Sequence, residues 1–199
     1  MLRLLIIAMV LMGAILFFNK EPSTPEHRSG VLVSGAPEQS PPQDTQLITM
    51  GDYLLLPLAE FSLEARVLGR ENYRFGREAD LSPIDLALGW GEMSDSAVLS
   101  RIDISQSNRF YFWRTERFPI PRRQIETQSA NMHLIPADNY VAGKMDEVQA
   151  GDLVHFSGQL VEARAEDGWC WRSSLTRQDT GNGACELVLV KDFYILPPP

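Results

Sequence analysis

Cysteine, histidine and arginine are the residues whose placement in this sequence bears most directly on chemistry. The 199 residues include only two cysteines, Cys170 and Cys185, and three histidines, His27, His133 and His155. In an oxidising compartment Cys170 and Cys185 are expected to form a disulfide across the glycine-rich segment between them. Closing a loop of that size stabilises a fold by roughly 3 kcal/mol in the chain-entropy account. The catalytic alternative makes one thiol a nucleophile. A thiolate needs a base and nearby positive charge, roles open to His133 or His155 and to Arg172 or Arg177. Cys170, Cys185 and His133 would then serve a cysteine-dependent transpeptidase or hydrolase. Ser129, Asn131, His133 and Asp138 hold the ingredients of a serine hydrolase, yet no G-x-S-x-G elbow surrounds Ser129. His133 and His155 with Asp138 or Asp152 lack H-x-H or H-E-x-x-H spacing. No metal site is therefore expected, and no cofactor.

A second constellation binds rather than reacts. Between positions 101 and 123 lie six arginines, Arg101, Arg109, Arg114, Arg117, Arg122 and Arg123, against Asp103 and Glu116. Phe110, Tyr111, Phe112 and Trp113 are interleaved with them. Guanidinium groups give planar, bidentate contacts and stack on aromatic faces, so this stretch suits an anion or a glycan, or docking against anionic lipid headgroups. Trp90, between two glycines, is a further stacking candidate if exposed. Arg109, Arg114, Arg122, Arg123, Trp113 and Trp90 are the expected binding residues, with mutual pairing of the charges as the alternative.

These groups need elements to position them. In the C-terminal third, Val154, Phe156, Gly158 and Leu160 alternate as in a strand, and Val161 and Ala163 then carry the apolar set onward. A bulge beside Gly158 would explain that slip. Residues 169–174 and the run Leu187 to Val190 complete a strand, turn, strand, loop, strand meander, with 178–183 as the loop. Upstream, Phe61, Leu63, Ala65 and Val67 alternate cleanly, and Pro57 marks an edge or kink. Ser82-Pro83 with Asp85 reads as a helix start, carrying Ile84, Ala87 and Leu88 to Gly89. Residues 109–114 predict a strand, residues 122–127 a short helix, and Asp138 or Asn139 a cap for another.

Before all of this stand Arg3 and the uninterrupted apolar run Leu4 to Phe18. Its length suits a signal anchor as well as a cleaved signal, but no small-x-small site follows it. The expected organisation is a transmembrane signal anchor at 1–19, a disordered Pro/Ser-rich tether at 20–45, and one α+β domain at 46–199. The charge placement favours N-in, with the domain in the periplasm and the inner membrane as its first partner. A formal charge of −8 argues against nucleic-acid binding.

Strands and short helices mix without βαβ order, which predicts an α+β fold. It would be a small curved sheet or OB-like β-barrel with short inserted helices, behind the one transmembrane helix. The segments DLSPIDLALGWGEMSD, SANMHLIPAD and SSLTRQDTGNGACELVLV resemble a family of bacterial membrane-anchored envelope proteins. That resemblance implies location and no activity. The GD-V-x-F-x-G-x-L-V pattern from Gly151 resembles a strand pair of OB-like barrels. Anchor plus barrel also resembles the plan of sortase-like transpeptidases, but no arginine follows Cys185 and no Thr-x-Thr-Cys-type strand is present. The expected function is a periplasmic binding or interaction module, its partner another envelope protein or cell-wall glycan.

Overall fold

The computed structural model describes residue 25, residues 27–177 and residues 185–197. The expected anchor at 1–19 and loop at 178–183 lie outside the described residues. Among the described residues no helix is long and apolar enough to cross a membrane.

The chain lays down β1 (Glu38–Ser40), β2 (Ile48–Met50) and the long β3 (Tyr53–Asn72), then α1 (Arg77–Leu81) and β4 (Ile84–Gly89). A 3-10 turn (Gly91–Ser94) and α2 (Ser96–Leu99) lead to a hairpin of β5 (Asp103–Ser107) and β6 (Phe110–Arg114). There follow α3 (Arg122–Thr127), β7 (Ser129–Pro136), α4 (Asn139–Asp146), β8 (Leu153–Ala165), β9 (Cys170–Arg172) and β10 (Glu186–Leu196). The result is a mixed, sheet-rich α+β fold with few short helices. Its main sheet runs β3-β4-β7-β10-β8 and returns to β3, making a ring-like sheet. Every pairing in the ring is antiparallel except β7 with β10. β1 and β2 add to β3, β9 adds to β8, and β5–β6 stands apart as a two-stranded sheet.

Two cores occupy opposite faces of this sheet. Inside the ring lie Phe61, Leu63, Ala65 and Val67 of β3, Leu86 and Leu88 of β4, Met132 and Leu134 of β7, Phe156 and Leu160 of β8, and Val188 and Val190 of β10. Outside it, Leu55, Val161, Ala163, Leu187, Leu189 and Ile135 pack with Leu81, Trp169 and Trp171. The bulge expected beside Gly158 is therefore not in β8. That strand keeps strict alternation, its even positions facing the ring interior and Val161 and Ala163 facing the outer core. The irregularities fall in its partners, between Pro57 and Ala59 of β3 and between Val190 and Asp192 of β10. A third core of Met93, Val98, Ile102 and Ile125 supports the hairpin through Ile104 and Trp113.

Two further expectations are corrected. Ile84 to Gly89 is a strand, not a helix, and all six residues are buried. Asp85, Ala87 and Gly89 face away from the ring core, so pairing with both β3 and β7 outweighs the local Ser-Pro-x-Asp capping signal. The tether ends earlier than expected. Val33 sits in the ring core, the Leu32 and Val33 amides donate to Ser94 Oγ at 3.0 Å, and the His27 ring meets the Gly151 carbonyl at 2.8 Å. Glu38–Ser40 pairs with β3. One apolar side chain and the edge of β3 supply the ordering that composition alone did not promise.

Candidate functional site

The hairpin turn is Ser107-Asn108-Arg109-Phe110, with φ +51° at Asn108 and +71° at Arg109. Two successive positive φ angles define the tight hairpin turn whose twist matches the flanking strands. Asparagine suits such a position and arginine does not, so Arg109 must be held there by its contacts. Its backbone N–H donates to Tyr73 Oη at 2.8 Å. Its guanidinium donates to Asp85 Oδ1 at 2.7 Å and to the Ser82 carbonyl at 2.9 Å, and lies 3.6 Å over the Tyr73 ring.

The hairpin thereby lies across the outer face of β4 and β7. Asp85 is 0% exposed; the Arg109 guanidinium pairs with its Oδ1, and the His133 Nδ1 lies 2.9 Å from its Oδ2. Asn131 Nδ2 donates to the Arg109 carbonyl at 3.1 Å, and Gln106 Nε2 donates to Asn131 Oδ1 at 2.8 Å. His133 is 3% exposed and its ring meets Trp171 at 4.8 Å. A buried carboxylate is tolerated when opposite charge and hydrogen bonds surround it, as here. This cluster is a clamp that fastens the hairpin to the ring.

Beside the clamp, β6 and the start of β7 diverge and enclose a cleft of about 550 Å³. Its walls carry Phe110, Phe112, Trp113 and Phe118 with Arg114, Arg122 and Arg177. Trp113 meets Phe118 edge-on at 6.0 Å, and the Arg122 guanidinium lies 5.7 Å over the Trp113 ring while bonding Glu126 at 2.7 Å. Arg177 stands 3.5 Å from Glu186 at the mouth of the ring. At the floor, Tyr111 donates to Ser129 Oγ at 2.8 Å, because the Ser129 hydroxyl itself donates to the Ile125 carbonyl at 2.6 Å. Burial pushes the Tyr111 hydroxyl up to about 12.

The expected binding residues divide accordingly. Trp113, Arg114 and Arg122 line the cleft, and Arg123 is exposed on α3 next to it. The Arg109 guanidinium is instead bonded to Asp85 and the Ser82 carbonyl. Trp90 is 3% exposed in the ring core, its N–H donating to the Gln128 carbonyl, so it offers no stacking surface.

Cys170 and Cys185 are not joined in a disulfide, contrary to expectation. Cys170 pairs with Arg164 across β8–β9, whereas the Cys185 carbonyl accepts from the amide of Ser174. Ser174 lies four positions after Cys170, about 13 Å of extended chain. A disulfide needs Cα atoms closer than about 7 Å. The catalytic set also disperses. His133 is taken by Asp85 and Trp171, the Cys185 thiol lies 3.8 Å from the Arg109 carbonyl, Cys170 is exposed on the outer strand, and Asp138 caps α4 through the Val141 amide. Among the described residues no group of three His, Cys, Asp or Glu side chains is arranged to hold a metal ion.

Tyr73, Asp85 and Gln106, which make the clamp, were not anticipated. The available signal was Asn108 before a strand of aromatic residues, which marks a hairpin tip and hence a segment free to fold over the sheet. Searches against protein-family models, curated proteins and solved structures find no match to this chain.

Proposed function

We propose that this chain is a membrane-anchored periplasmic binding module of the bacterial cell envelope, engaging another envelope protein through the cleft beside β6. The observation that carries the reading is the contrast between the two sites. Of the groups with catalytic potential, Asp85 and Ser129 are engaged in internal bonds and His133 is buried at 3% exposure between Asp85 and Trp171. The cleft instead offers aromatic side chains and arginines to an outside group, with Phe112 51% exposed and the Arg114 side chain 88% exposed. Aromatic and arginine side chains are the ones enriched at protein-binding hot spots.

The ring is read here as an OB-like barrel. What supports this is the order of its five strands, with the first joined to the second and fourth and the third running parallel to the fifth. α4 lies between the third and fourth. OB-like barrels bind along the outer face of their second and third strands, here β4 and β7. The hairpin covers that face and relocates the open surface to its own outer wall. Anchor and compartment rest on the apolar run Leu4 to Phe18.

Full-length chain in detergent micelles should retain a specific partner from solubilised envelope. Charge reversal at Arg114, Arg122 and Arg123 should reduce that retention at least about tenfold. Undiminished retention by the reversed variant would remove the cleft from the interface, and retention by purified cell-wall glycan in place of protein would reassign the partner. The alternative, a cysteine-dependent transpeptidase or hydrolase, requires that Cys170→Ser or Cys185→Ser abolish function without lowering stability.

A further inference from the structure

We propose that the outward edge of β6 accepts an extended, carboxylate-bearing polypeptide segment as an added strand; this rests on the reading that the cleft binds a protein. A two-residue turn makes Ser107 and Phe110 a hydrogen-bonded pair, and the pattern alternates from there. Phe110, Phe112 and Arg114 thus direct their backbone groups to β5. Tyr111 and Trp113 belong to the other set, and their N–H and C=O groups point away from β5. β6 pairs with β5 alone, and among the described residues no hydrogen bond reaches those four backbone groups. Every residue from Phe110 to Thr115 lines the cleft. A strand that showed only one face would contribute alternate residues, so the wall includes the strand's edge.

The ends of this edge differ. Near the turn, Asn131 Nδ2 and the Cys185 thiol take the Arg109 carbonyl, which closes the groove there. Toward Arg114 and Thr115 it opens beside Phe118 and α3. An entering strand would place backbone groups against Tyr111 and Trp113 and its side chains among Phe112, Phe118 and the aliphatic stem of Arg122. Strand addition of this kind takes affinity from main-chain hydrogen bonds and specificity from flanking side chains.

Charge selects the occupant. Arg114, Arg122 and Arg177 outnumber Glu126 and Glu186 in the cleft wall, on a chain whose formal charge is −8. Among the described residues Arg114 pairs only with Asp103, at 3.7 Å and on the surface, and is available to a carboxylate. A second copy of the chain would bring two such arginine sets onto one short ladder, which like-charge repulsion opposes.

The test is selection of short linear peptides from a displayed library against full-length chain in detergent micelles. A variant carrying Arg114→Glu and Arg122→Glu serves as counter-selection, and N-methylation is then scanned along each enriched peptide. Expected are peptides with Asp or Glu beside β-branched residues. N-methylation at alternate positions should weaken them about tenfold, the loss expected when backbone hydrogen bonds are removed. The intervening positions should tolerate it, and the Tyr111 and Trp113 amides should gain protection from hydrogen exchange on binding. Peptides that tolerate N-methylation everywhere, or a library that yields none while charge reversal still abolishes envelope association, overturn strand addition and leave the cleft reading intact. No enriched peptide together with envelope association indifferent to charge reversal overturns both. Concentration-dependent dimerisation that protects the same two amides gives the edge to a second copy and also overturns the proposal.

Discussion

Asp85 sits where three elements meet, and its carboxylate is met by residues distant in sequence: Arg109 and Asn131 donate to it, and the His133 ring lies beside it. Asp85→Asn keeps the shape but leaves the guanidinium of Arg109 without its counter-ion. Breaking one side of such a pair costs about 3–5 kcal/mol. Urea unfolding should show that loss together with faster amide exchange in β5 and β6, whereas Arg114→Ala, at an exposed pair, should stay within about 0.5 kcal/mol. Tyr111 gives a pH signature. Its hydroxyl ionises near 10 when unfolded and at about 12 when folded, so the neutral form is the one folding favours. The stabilisation is complete below pH 10 and is lost as pH rises toward 12, on the order of 2–3 kcal/mol for one such group. Tyr111→Phe should flatten the stability profile in that window. Sequence made Arg109 conspicuous but misassigned its use, because its partner Asp85 lay in a segment read as a helix.

Elements were legible where a pattern had one cause. Alternation named β3 and β8, aromatic density named β6, and α3 and the Asp138 cap of α4 followed from local signals. Ile84 to Gly89 was misread because Ser82 and Pro83 mimicked a helix cap, although Ile84, Leu86 and Leu88 alternate with Asp85, Ala87 and Gly89 as a strand requires. Gly158 shows how closely these strands approach: a Cβ there would lie 1.9 Å from the Leu189 carbonyl oxygen and 3.1 Å from Val190 Cα. Backbone cannot give way as a side chain does, so Gly158→Ala should destabilise by about 3 kcal/mol or more, visible as a lowered unfolding midpoint. Gly143, within α4, has open space around its Cα hydrogens. Gly143→Ala should act in the opposite direction, raising stability by about 0.5–1 kcal/mol through the better helix propensity of alanine.

At the scale of the molecule, sheet-rich α+β character was readable from strand spacing, but the extent of the ordered chain was not. Val33 and the Ser94 contacts fasten residues 27–45 onto the ring, so a chain shortened to begin at Gln46 should unfold at lower denaturant than one beginning at Arg28. Thiol labelling of the folded chain should find both cysteines reactive without reductant, Cys170 faster than Cys185, in keeping with their exposure. The ring order also governs how the molecule comes to exist. β10 lies between β7 and β8, and β8 closes onto β3, which was synthesised about a hundred residues earlier, a separation that slows folding. Until Glu186–Leu196 has been made, β7 and β8 each present an open edge. A nascent chain therefore carries two unsatisfied strand edges from the completion of β8 until β10 is made, and a stop codon inside β10 would release a product poised to aggregate rather than a weakened binder.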